Sequence, residues 1–258
     1  MGASPISRDD ILAARAAGAA YVKHTPITES AALTALCGGS VVVKAESLQR
    51  TGSFKIRGAM NKVASLGDAA RTGVVAGSAG NHAQAIAFAA QVNGISCEIF
   101  VPAGASLSKI AACRAYGATI SEGGESLDNA VALARDRAAA TGMNFCHPYD
   151  DPAVVAGQAT LGLELIEDIS DLRTVVIPLG GGGLAGGTAI ALKMHDPKIR
   201  VIGVQVSACA PYANTPAPEG PVVTLADGIA VKKPGAVTRP IIEHFLDDIV
   251  VVEEDDVA

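Results

Sequence analysis

Aromatic residues are scarce in this 258-residue chain: there is no tryptophan, with five phenylalanines and four tyrosines. A core must therefore be built from Ala, Val, Ile and Leu, with glycine allowing backbones to approach closely. The shortage of rings also argues against a base-stacking binder of single strands. No block of Lys or Arg resembles the basic surface that nucleic acid or an anionic membrane selects. The net charge is -6, yet six acids and no base lie between Asp247 and Ala258, so the body of the chain is neutral. Arg8, Asp9 and Asp10 interrupt any apolar core near the N-terminus, which excludes a signal peptide there. The longest uncharged run, Thr174 to Leu192, holds six glycines and one proline. It reads as strand, loop and buried helix, not as a membrane span. The five cysteines (Cys37, Cys97, Cys113, Cys146, Cys209) are odd in number, scattered and without a Cys-x-x-Cys pair. They read as buried or free thiols of a reducing cytosol. No His-x-x-x-His accompanies them, so no metal site is expected. The absences together point to a cytoplasmic protein without membrane or nucleic-acid partners.

Apolar residues make up 49% and charged residues 18%, the balance of a globular chain. Strand-like and helix-like segments alternate. Strands are expected at Val41–Val43, Val74–Ala76, Cys97–Val101, Val175–Ile177, Ile199–Val204 and Ile249–Val252. Helices are expected from Ser53 to about Leu66, and at Asn81–Asn93, Leu107–Tyr116, Ser126–Ala140, Leu184–His195 and Thr238–Leu246, several of them stopped by Gly. Continuous apolar strands separated by helices imply an α/β fold of mostly parallel sheets covered on both faces. Ala210 to Pro221, with four prolines, reads as an irregular loop. Glu253-Glu254-Asp255-Asp256 carries the acids of a helix start, and only two residues follow, which suggests a helix cut short and a chain truncated at its C-terminus.

Three segments carry chemistry. Lys55 lies in Gln49-Arg50-Thr51-Gly52-Ser53-Phe54-Lys55-Ile56-Arg57-Gly58, after a turn and at the start of a helix. A lysine amine has an unperturbed pKa of about 10.4. Burial and the positive end of a helix both favour its neutral, nucleophilic form, the form that can hold an aldehyde as a Schiff base. Taken alone, a lysine between Phe54 and Ile56 also reads as a snorkelling surface residue. Gly180-Gly181-Gly182-Gly183-Leu184 follows a strand and opens a helix, the setting in which backbone N–H groups cradle a phosphate. Gly181-x-Gly183-x-x-Gly186 also fits a dinucleotide fingerprint, but the next strand ends Val204-Gln205-Val206 without the acid that would hold a ribose. Close packing of helix on sheet is the third reading of these glycines. Ser78-Ala79-Gly80-Asn81-His82 stands at another strand-to-helix turn. Its N–H groups and the Ser78 hydroxyl could hold a carboxylate; equally, Ser78 or Asn81 could be a helix cap. His82 reads as a general base or as a structural residue. Asp150-Asp151 before Pro152 read as turn acids.

With these residues in view the chain resembles the fold-type-II pyridoxal-phosphate family, in its biodegradative threonine dehydratase and serine racemase branch. The resemblance runs from about Asp9 to the last residue. It is densest at Gln49–Ala59, Ser78–Gln84, Pro148–Gln158, Gly180–Leu184 and Leu225–Gly228. It implies pyridoxal 5'-phosphate as cofactor, with Lys55 as its Schiff-base residue and the acceptor of the substrate α-proton. Phe54 would pack on the pyridine ring, Asn81 would bond the phenolic oxygen, and Gly180, Gly181, Gly182, Gly183 and Leu184 would cradle the phosphate. Ser78, Ala79, Gly80, Asn81 and His82 would hold the substrate carboxylate. The implied reaction eliminates the β-hydroxyl of L-threonine or L-serine, and hydrolysis then yields a 2-keto acid and ammonia.

Departures from the family pattern refine these expectations. Racemases of the branch carry a second catalytic serine where this chain has Ala79, which favours dehydratase over racemase. The acids that hold a divalent ion in siblings are replaced by Gln205–Pro211 without a carboxylate, so no metal is expected there. The ring-nitrogen partner of the family falls beyond residue 258, and no regulatory domain is present. A serine racemase, a 3-hydroxyaspartate-type dehydratase and an inactive fragment are the alternatives. The implied architecture has a large domain from residues 1–66 and 146–258 and a small substrate-side domain from 67–145, in a homo-oligomer (dimer or tetramer).

Overall fold

The computed structural model describes residues 5–213, 218–220 and 222–258. In chain order the elements are α1 (Arg8–Gly18), β1 (Ile27–Glu29), α2 (Ala31–Cys37), β2 (Val42–Lys44), α3 (Lys55–Ser65), β3 (Val74–Gly77), α4 (Asn81–Asn93), β4 (Cys97–Val101), α5 (Leu107–Ala115), β5 (Thr119–Glu122), α6 (Leu127–Thr141), β6 (Asn144–Phe145), α7 (Pro152–Asp168), β7 (Thr174–Pro178), α8 (Gly183–His195), β8 (Arg200–Val206), α9 (Thr238–Phe245), β9 (Asp248–Val252) and α10 (Glu254–Val257). Of the proline-rich segment read as a loop, Pro211–Ala213 form a single 3-10 turn; residues 214–217 and 221 lie outside the described residues.

Two parallel sheets organise the chain. The first has strand order β5-β4-β3-β6, the second β7-β8-β9. Parallel pairing demands crossovers, and helices supply them, as the alternating sequence pattern requires. Val74 to Gly77 are buried throughout, as expected of a central strand covered on both faces. A two-stranded antiparallel ribbon, β1 on β2, departs from the parallel rule.

Helix α7 is the central post of the molecule. Asp151 caps its N-terminus by accepting from the N–H groups of Ala153 (2.8 Å) and Val154 (3.4 Å), and Pro152 occupies the first turn. Eleven of its seventeen residues are buried, so it has almost no polar face. Glycines bring two neighbours close to it. A Cβ on Gly157 would stand 2.5 Å from both the Arg57 carbonyl oxygen and the Gly58 Cα of α3. A Cβ on Gly187 of α8 would collide with the Val155 carbonyl. Helix α3 begins with Lys55 and α8 begins at the glycine run, so both chemical motifs are set by close packing on one helix.

A buried ionic cluster fixes α3 further. Arg57 is 2% exposed and bonds Glu46 through Nε and Nη2 (2.8 Å each) and Glu164 through Nη1 (2.6 Å) and Nη2 (2.9 Å). Lys44 joins Glu164 (2.8 Å) and Asp168 (2.9 Å). Burial opposes the Arg57 charge, but the two carboxylates outweigh it and its pKa is raised. Of the helices and strands described, none is long and apolar enough as a helix to cross a membrane.

Candidate active site

Lys55 is the first residue of α3 and half-buried. Its Nζ donates to the Pro148 carbonyl at 2.7 Å and lies 5.3 Å from the centroid of the Phe54 ring. No carboxylate among the described residues pairs with it. Burial therefore acts unopposed and pulls the amine down to about 8. The neutral form, the condition for nucleophilic and basic chemistry, is thereby brought closer to physiological pH than in an exposed lysine.

Both histidines near this amine are neutral. His82 is buried in α4 and its Nε2–H donates to the Cys146 carbonyl at 2.9 Å. Burial first, and then the Lys55 charge, push it down to about 3. The nitrogen that faces Cys146 is committed to that carbonyl, which supports the structural reading of His82. His147 accepts at Nδ1 from the N–H groups of Tyr149 (3.3 Å) and Asp150 (2.8 Å), which leaves the ring proton on Nε2. Burial lowers it to about 4.

The glycine run meets the same segment from the other side. Gly180 to Gly183 are buried. The Tyr149 ring lies so close on Gly181 that a Cβ there would collide with it, and a Cβ on Gly183 would touch the Tyr149 Cβ at 3.1 Å. Gly182 has φ +91°, a backbone conformation that glycine adopts without strain. The N–H groups of Gly181, Gly182, Gly183 and Leu184 donate to no other described residue, and α8 has no side-chain cap. Buried N–H groups at a helix start ordinarily find partners. Several left free together on glycines fit an anion such as a phosphate monoester.

At the other turn, Ser78 is buried and its hydroxyl accepts from the Gly80 N–H at 3.2 Å. Neither Ser78 nor Asn81 caps α4; Gly80 is the cap residue, without a side-chain bond. The N–H groups of Ala79, Asn81 and His82 donate to no other described residue. The Asn81 side chain is exposed and likewise bonds no described residue.

The segment Cys146–Asp150 is the meeting point; its sequence suggests no role in the site beyond a turn acid at Asp150. Its carbonyls hold His82 and Lys55, its Tyr149 lies on Gly181, and the Asp150 carboxylate accepts from the N–H groups of Ala236 (2.9 Å), Val237 (2.7 Å) and Thr238 (3.2 Å). Asp151 is a local acid that caps α7 and also pairs with Lys62 at 2.6 Å, whereas Asp150 holds a segment distant in the chain, which corrects its reading as a turn acid. The signal in the sequence was faint, because carbonyl oxygens carry no residue identity. Tyr212 and Thr238 were also missed. Their hydroxyls lie 3.0 Å and 2.7 Å from the Gly181 carbonyl oxygen.

The desolvated lysine and the free N–H groups of the glycine loop fit an aldehyde cofactor that carries a phosphate. Comparison with known proteins agrees. The family model described as pyridoxal-phosphate dependent enzyme matches residues 19–258. An L-threonine ammonia-lyase of Thermotoga maritima is 44% identical over 98% of this chain, which spans 65% of that relative's length. The L-threonine dehydratase catabolic TdcB of Escherichia coli K12 is 42% identical over 98% of this chain, which spans 79% of it. Among solved structures, maize serine racemase superposes with a TM-score of 0.91 at 33% identity, covering 97% of this chain and 78% of its own. The lysine, the glycine loop and these likenesses agree, and the chain belongs to the pyridoxal-phosphate dependent enzyme family.

Proposed function

We propose that this protein uses pyridoxal 5'-phosphate to convert L-threonine or L-serine into the corresponding 2-keto acid and ammonia by β-elimination of the hydroxyl. The observation that carries the reading is Lys55: a desolvated amine without an acidic partner, held on the Pro148 carbonyl. The names of the T. maritima and E. coli relatives support L-threonine as the substrate. Bound in the site, the cofactor supplies an aldehyde for amines and a ring that withdraws electrons from the substrate Cα–H bond.

The protein's own residues do the rest. Lys55 in its neutral form takes the α-proton at Nζ, and the Pro148 carbonyl orients that nitrogen. The N–H groups of Gly181, Gly182, Gly183 and Leu184, with Gly180 before them, receive the phosphate. The N–H groups of the Ser78–His82 turn receive the substrate carboxylate. Phe54 would pack on the cofactor ring, and the free amide of Asn81 would serve the phenolic oxygen. Water lost in the elimination is regained in the hydrolysis, so the net change is loss of ammonia.

A racemase reading draws on the likeness to maize serine racemase. Ala79 opposes it: this turn presents a methyl group where reprotonation from the opposite face would need a hydroxyl. The large unit of residues 1–66 and 146–258 would carry Lys55 and the glycine loop. The small unit of 67–145 would carry the Ser78–His82 turn and close on substrate. Free cysteines suit the cytoplasm. Leu36 at 82% exposed and Leu48 at 57% offer apolar surface for a homo-oligomer, which light scattering would measure. A panel of hydroxy amino acids, read for keto acid and D-amino acid together, tests the reaction: 2-oxobutanoate from L-threonine with almost no D-serine from L-serine is expected. D-serine as the main product would overturn the lyase reading.

A further inference from the structure

We propose that Thr238, with Tyr212 and Asp150, is a positioning clamp that aims the phosphate-binding peptide of the glycine loop; the proposal rests on the reading of Gly180–Leu184 as the phosphate cradle. In a trans peptide the C=O and the following N–H point in opposite directions. The Gly181 carbonyl is gripped by the Thr238 hydroxyl, which donates to it at 2.7 Å, and by the Tyr212 hydroxyl at 3.0 Å. The N–H of Gly182, on the same peptide plane, must then point away from the clamp, and it has no partner among the described residues. The left-handed Gly182 followed by helical Gly183 turns the next N–H toward the same concavity, the geometry of an anion-binding nest.

Each side of the clamp is itself anchored. Thr238 is fully buried, and its Oγ1 also accepts from the Gly235 N–H at 3.2 Å and lies 3.0 Å from the Tyr212 hydroxyl. Its backbone is held with those of Ala236 and Val237 on the Asp150 carboxylate. Tyr212 is fixed by its N–H donating to the Gln205 side chain at 3.0 Å; the Gln205 amide in turn donates to the Leu179 carbonyl at 3.1 Å, one residue before the loop. Asp150 belongs to the segment whose Pro148 carbonyl receives Lys55 Nζ. Phosphate grip and lysine orientation are therefore set by one continuous piece of structure. None of these groups would touch the phosphate; they act through the Gly181–Gly182 peptide.

The test compares binding of pyridoxal 5'-phosphate with binding of pyridoxal, which keeps the aldehyde and lacks the phosphate, by absorbance titration of the folded protein. Thr238→Val is expected to weaken pyridoxal 5'-phosphate binding by about tenfold, the scale of one well-placed hydrogen bond to a charged group. Pyridoxal binding stays within about twofold, since the loop is not used by it. Thr238→Ser keeps the donor and is expected to restore the phosphate preference. Tyr212→Phe removes the second donor and is expected to narrow the preference by a smaller factor, which keeps the test available if Thr238→Val does not fold. A Thr238→Val or Tyr212→Phe protein that keeps the full preference, or loses both ligands equally, would overturn the clamp. Gly182→Ala would not separate the two claims, because a Cβ there would stand 2.5 Å from the Tyr212 hydroxyl and 2.9 Å from the Thr238 Cβ; competition by inorganic phosphate does. If phosphate fails to compete with pyridoxal 5'-phosphate in the wild type, the cradle reading itself is wrong; if it competes equally well in the wild type and in the clamp variants, only the clamp is wrong.

Discussion

At the scale of single residues, the site is defined by which charges are absent. Lys55 has no carboxylate partner, so burial lowers its pKa to about 8. Reaction of the free enzyme's amine with aldehydes should rise with pH through about 8, whereas an exposed lysine would keep rising toward about 10.4. A pH series of imine formation checks this. Stability carries a second signature. His82 and His147 titrate in the fold at about 3 and about 4, below the usual 6.5 of the free side chain. Between those values the unfolded chain binds more protons than the folded one, so stability is full above about pH 6.5 and is lost as pH falls. His147→Asn keeps an acceptor at the Nδ1 position and removes the titration; urea melts should then show a shallower loss of stability between about pH 6.5 and 4. Lys55 and the glycine run were legible in the sequence because their chemistry admits few residue types. Pro148 and Cys146 were not, since they serve through carbonyl oxygens that any residue would supply.

At the scale of elements, legibility followed the boundary signals. Helix α4 was read at its observed bounds, Asn81–Asn93, because Gly94 stops it in the left-handed conformation, with φ 65°. Strand β4 was read as Cys97–Val101, closed by Pro102. Helix α7 went unread: buried on nearly every side, it lacks the polar face that gives a helix its period. Helix α1 has a full capping box, Ser7 with Asp10, and was passed over beside the charges of the N-terminus. Strand β5 carries a single apolar residue, Ile120, and β6 has only two residues, so neither shows a pattern. The unread α7 is what aligns α3 with α8. Gly157→Ala should force α3 off α7, cost about 1–3 kcal/mol of stability, and displace Lys55; thermal melts and cofactor absorbance would register both. Arg57→Met should cost about 3–5 kcal/mol, because Glu46 and Glu164 lose their shared partner in the interior; urea unfolding measures it.

At the scale of the molecule, two parallel sheets are joined through α7 and the Cys146–Asp150 segment. The β3–α4 turn of one sheet and the β7–α8 loop of the other both reach that segment, from residues far apart in the chain. The α/β class and its parallel sheets followed from the alternation of elements, and the convergence did not, since it depends on tertiary packing. In the proposed reaction Lys55 is the single base of the elimination. The most direct test of that role is to supply the protein with pyridoxal 5'-phosphate and L-threonine and to follow 2-oxobutanoate in the wild type and in Lys55→Ala. Keto-acid formation is expected of the wild type, and loss of both the product and the cofactor imine band is expected of the variant. Unchanged turnover by Lys55→Ala would contradict that role.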